Sequence, residues 1–153
     1  MLMNFLALYM LLAPPTPDAF RKEKAPLEQA VDALVISTGA QILQRSHAAY
    51  LEEYGIIVTL EAVLEQPQGI FGTPKPPAEL RTLIEQRRNS LKEKLSTFVK
   101  QRVATTDAIE PTAYLTVVVH LLNANPAEVP NLPIQIVTTV KKDSPQPAQV
   151  REY

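Results

Sequence analysis

Beyond the N-terminal segment, hydrophobic and β-branched residues are densest in the stretch 113–122, AYLTVVVHLL. Its odd positions, Ala113, Leu115, Val117, Val119 and Leu121, are wholly apolar. Its even positions, Tyr114, Thr116, Val118, His120 and Leu122, are mixed. A β-branched run with one dry face and one half-dry face predicts a strand in the middle of a sheet, with neighbours on both sides.

Two further segments alternate with period two. In 56–66, Ile56, Val58, Leu60, Ala62 and Leu64 point one way, with Ile57, Thr59, Glu61, Val63 and Glu65 the other. In 132–142, Leu132, Ile134, Ile136 and Val140 share a face, while Pro133 and the terminal lysines suit an edge strand. Helical spacing marks two other stretches. Leu27, Val31, Leu34, Val35, Thr38 and Ile42 predict a helix over 27–45, with Pro26 at its start and Gly39 as a weak point inside it. Leu80, Ile84, Leu91, Leu95, Phe98 and Val99 predict a long helix over 77–103. The segment 47–55 reads as a turn-rich link.

The element order is then α-β-α-β-β. A strand–helix–strand unit requires parallel pairing of the first two strands, and the short link before the third favours an antiparallel neighbour. The expectation is an α+β two-layer sandwich: a three-stranded mixed sheet in order 1-2-3, with both helices on one face. Its parts are an apolar N-terminal segment and proline-rich linker (1–19), a single α/β domain (20–143) and a polar tail (144–153).

The N-terminal run 1–13, MLMNFLALYMLLA, is followed by the breaker PPTPDA. Thirteen helical residues span about 20 Å, short of a hydrocarbon core of about 30 Å, so no transmembrane span is expected. Length and position suit a signal-like segment, which points to an exported, periplasmic or membrane-peripheral protein. No Lys or Arg precedes the run and no clean A-x-A site follows it. The alternative is a retained apolar helix in a cytoplasmic protein.

Composition narrows the chemistry. The 153 residues contain no cysteine, which removes disulfides, thiolate catalysis and cysteine metal sites. Only four glycines occur beside fourteen prolines, too few for a phosphate-cradling loop, and neither G-x-G-x-x-G nor a P-loop is present. The two histidines, His47 and His120, stand in no metal-ligand spacing. Glu61 and Glu65 share a strand face, but their Cα atoms are about 13 Å apart, a poor geometry for paired carboxylates. An enzymatic site built from His120 and Glu61 is the minor reading, and no cofactor is expected.

Surfaces carry the remaining signal. Net charge is −1, yet the segment 77–103 holds seven Lys and Arg against Glu79, Glu85 and Glu93. Arg81, Arg87, Arg88, Lys92 and Lys94 form either a solvated helix face or a site for an anionic surface or polymer, lipid head groups or nucleic acid. Stacking aromatics are missing from that stripe, which counts against nucleic acid. Ile70 and Phe71 lie between glycines in the loop 69–72 and either tuck under the long helix or meet a partner. The sheet face opposite the helices, with Tyr114, Val118, His120 and Val137 among threonines, is too apolar for open water and too polar for a core. The leading expectation is a non-enzymatic interaction or structural subunit. It would dock a protein partner or a second copy through that face and the 69–72 loop, with peripheral membrane contact as a further option.

Overall fold

The computed structural model describes residues 17–66, 72–144 and 146–153. The apolar run 1–13 and the Ile70–Phe71 pair lie outside the described residues. Among the described residues the chain is an α+β fold of two helices and one five-stranded mixed sheet. In chain order the elements are α1 (Pro17–Ile36), β1 (Gln41–Leu51), β2 (Gly55–Val63), α2 (Pro77–Thr105), β3 (Tyr114–Leu121), β4 (Gln135–Lys141) and β5 (Gln149–Glu152).

The sheet order is β1-β2-β3-β4-β5. β2 and β3 pair in parallel across the α2 crossover, and the other neighbours pair antiparallel. β3 is the middle strand. Ala48, Val58, Val117 and Thr138 are cross-strand partners on one face, all buried, and they share a core with Leu27, Val31 and Val35 of α1 and Leu91, Leu95 and Val99 of α2. Both helices therefore lie on the same side of the sheet. Each large apolar side chain closed off this way contributes about 1.5–3 kcal/mol.

The sheet has five strands where the sequence pattern gave three, and the two additions have separate causes. The expected helix over 27–45 instead begins at Pro17, absorbs the 20–24 lead-in, holds Pro26 in its interior, and stops at Ile36. Gly39 takes a left-handed φ of 85°, and its N–H donates to Ile36 O at 2.9 Å, so it terminates the helix. Beyond it, 41–51 is strand. Its register with β2 slips at Ile42/Gln44 and again before His47, which breaks the period-two signal. At the other end, the expected polar tail forms β5, paired with β4 from Ile136–Glu152 to Thr139–Gln149. β4 is also shorter than expected: Ile134 precedes it and is exposed.

A candidate partner-binding face

The face turned away from the helices is ordered by strand register. Parallel pairing sets Glu61 beside His120, and antiparallel pairing sets His120 beside Gln135. The next row is Thr59, Val118, Val137 and Arg151; the next is Ile57, Thr116, Thr139 and Gln149; the last is Gly55, Tyr114 and Lys141. Three of the residues singled out from sequence, Val118, His120 and Val137, are thus immediate neighbours, with Tyr114 four residues along the same strand. Ile57, Val118 and Val137 are half-buried, and among the described residues no second layer lies over them.

Polar groups on this face are fixed by one another. Gln135 Nε2 lies 3.1 Å from His120 Nδ1. An amide nitrogen only donates, so Nδ1 is the acceptor in this contact. Tyr54 OH is 2.7 Å from Thr116 Oγ1, which is 3.0 Å from Thr139 Oγ1. Tyr54 stacks on Tyr114 with ring centroids 5.3 Å apart, and Lys141 Nζ stands 6.0 Å from the Tyr114 centroid. A recess of about 310 Å³ opens between Tyr54, Thr116, Gln149, Arg151 and Tyr153. Neither Tyr54 nor the β5 residues were assigned to this face from sequence. Tyr54 sits in a turn and β5 is too short to show a period.

Glu61 and His120 are brought side by side, but on an open strand face, and no ion pair joins them among the described residues. No group of three His, Asp or Glu able to hold a metal occurs among the described residues. Glu65 is not free to partner Glu61: it is bound to Arg87 at 2.8 Å and Lys75 at 3.5 Å.

The five cations singled out on α2 are engaged inside the molecule. Arg81 Nε donates to Glu128 O at 2.7 Å, and Arg87 Nη1 to Leu64 O at 2.7 Å. Arg88 grips both oxygens of Glu152, Lys92 Nζ is 3.3 Å from Glu152 Oε1, and Lys94 Nζ donates to Ser37 O at 3.1 Å. The hydrogen bond from Arg88 is the main reason the Glu152 carboxyl sits below its ordinary range; burial opposes the effect and Lys92 adds to it. The same bond raises Arg88 above its usual value.

Among the described residues no helix is long and apolar enough to cross a membrane. No family model matches the chain, and no curated protein matches it.

Proposed function

We propose that this chain is a non-enzymatic interaction subunit that docks a protein partner through the sheet face opposite its helices. The observation that carries this reading is the Val118–Val137 cross-strand pair, half-buried at the centre of a face without a covering layer among the described residues. Around it stand tyrosines, a histidine and the cations Lys141 and Arg151, and neither cation makes an ion pair among the described residues. An apolar centre, aromatic neighbours and a charged rim are the composition of protein interfaces. The fitting partner presents an apolar patch with carboxylates placed to meet Lys141 and Arg151. An exported or membrane-peripheral setting is part of the proposal and rests on the apolar run 1–13.

The test is a native pull-down followed by size exclusion. Val118→Asp combined with Val137→Asp abolishes the complex while helical circular dichroism persists; survival of the complex refutes the docking face. N-terminal sequencing of the mature protein tests the export reading. The alternative reading, an anionic surface or polymer bound by Arg81, Arg87, Arg88, Lys92 and Lys94, has weaker support because all five already hold acceptors within the fold. Steep salt dependence of liposome or oligonucleotide binding would restore it.

A further inference from the structure

The two outer strands of the sheet are finished differently. On β1, the N–H of Ser46 donates to Asp32 Oδ1 at 2.9 Å and that of Ala48 to Glu28 Oε1 at 2.8 Å. The spacings match, because helix residues four apart and strand residues two apart both repeat at about 6–7 Å. Carboxylates of α1 thus occupy two donors in the middle of that edge and obstruct further pairing there.

β5 has no such cover among the described residues. Gln135 and Tyr153 exchange backbone bonds, Tyr153 N–H to Gln135 O at 3.1 Å and Gln135 N–H to Tyr153 O at 3.3 Å. Alternation along an antiparallel ladder then turns the backbone of Gln149 and Arg151 toward β4, and that of Val150 and Glu152 outward. Beside this edge runs a groove of about 630 Å³, lined by Val150 and Glu152 and by Lys92, Glu93, Ser96 and Thr97 of α2.

We propose that this edge pairs antiparallel with β5 of a second copy about a two-fold axis at Val150, joining two five-stranded sheets into one. The axis follows from what each register opposes. An axis at Arg151 sets guanidinium against guanidinium, and one at Glu152 sets carboxylate against carboxylate. An axis at Gln149 sets Arg151 against Pro147. At Val150, the two valines meet on the groove side, and each Arg151 faces Gln149 of the second copy. That contact repeats the Arg151-to-Gln149 bond, 3.0 Å, already made within the strand. Val150 and Val150 of the second copy exchange ladder bonds at the centre. The edge shares Arg151 with the rim of the face proposed to dock a partner, but the dimer is centred on Val150 and the docking face on Val118 and Val137, so either assignment can fail alone.

The full chain tests it. Sedimentation velocity across a concentration series is expected to show a monomer–dimer equilibrium. Val150→Lys, which opposes two ammonium groups across the axis, is expected to weaken it about tenfold or more. Because the chain lacks cysteine, single substitutions report the register directly. Cα atoms in the Val150 pair would be about 5.5 Å apart, within disulfide reach, whereas Gln149 and Arg151 would each be about 8 Å from their own copies, beyond it. Oxidation should therefore cross-link Val150→Cys, but not Gln149→Cys or Arg151→Cys. A monomer at every concentration, a dimer indifferent to Val150→Lys, or cross-linking at 149 or 151 in preference to 150 would overturn the proposal. Val118→Asp with Val137→Asp should leave the dimer intact, which separates this test from that of the docking face.

Discussion

Arg88 and Glu152 meet as a two-pronged pair, Nε to Oε1 and Nη2 to Oε2, each at 2.6 Å. The contact joins the middle of α2 to the last strand, 64 residues later, and Lys92 flanks the same carboxylate. β5 has a single apolar side chain, Val150, so packing alone holds it weakly. This ion pair is what ties the strand to the helix layer.

Loss of that pair should loosen β5 in a pH-dependent way. Glu152 has its folded pKa lowered, so its stabilisation is fully present above the free glutamate value of about 4.3 and is lost as pH falls through the depressed folded value. Glu152→Gln is expected to cost about 1 kcal/mol at neutral pH, the two side chains being 24% and 29% exposed. The difference from wild type should shrink below about pH 4.3 and vanish at lower pH. Urea denaturation from pH 3 to pH 7 measures it, and a pH-independent difference would show that the carboxylate charge is not the cause. Faster amide exchange at Gln149 and Arg151 should accompany the loss.

Gly55 opens β2 with φ at 127°, and a Cβ there would lie 2.1 Å from Tyr114 O and 2.8 Å from Tyr114 N. Neither backbone atom can move without shifting the first residue of the central strand. Gly55→Ala is expected to cost about 3 kcal/mol or more, combining left-handed strain with the clash. A shift in the urea midpoint at constant m reads the loss; an unchanged midpoint would mean the β2–β3 start relaxes freely.

How much of this was legible depends on what each element relies on. β2, β3 and α2 rely on their own apolar spacing, and Val58, Leu60, Val117, Val119, Leu91 and Leu95 all reach the core as their pattern implies. The parallel β2–β3 pairing followed from the helix between them. β1 relies on α1 instead. Its inward residues Ser46 and Ala48 are small, and their N–H groups are held by Asp32 and Glu28, so no hydrophobic alternation marks it. β5 likewise relies on a contact 64 residues away. On the candidate face, Val118, Val137 and His120 were legible because they alternate with core positions. Arg151 and Tyr153 were not, since their place there depends on β5 existing at all.

The carboxylates that obstruct the middle of the β1 edge give a third expectation. Glu28→Ala with Asp32→Ala leaves the N–H groups of Ser46 and Ala48 without protein acceptors. The double variant is expected to lose about 2 kcal/mol, near 1 kcal/mol for each bond to a charged group at a partly wet edge. It should also aggregate on heating, because an uncovered edge strand pairs with other chains. Light scattering during a thermal ramp checks this, and a variant as soluble as the wild type would show that the edge needs no cover.

Thr138 supplies the last. It lies on the core side of β4, fully buried between Val117 of β3 and Val150 of β5, and its Oγ1 has no hydrogen-bond partner among the described residues. A hydroxyl taken from water without replacement bonds costs about 1–3 kcal/mol. Threonine and valine nearly match in shape, and valine suits a strand at least as well. Thr138→Val should therefore stabilise the fold by about 1 kcal/mol, opposite in sign to most core substitutions. The gain should register as a higher urea midpoint at unchanged m. A loss instead would mean that the hydroxyl is satisfied in solution, by a water enclosed beside β4.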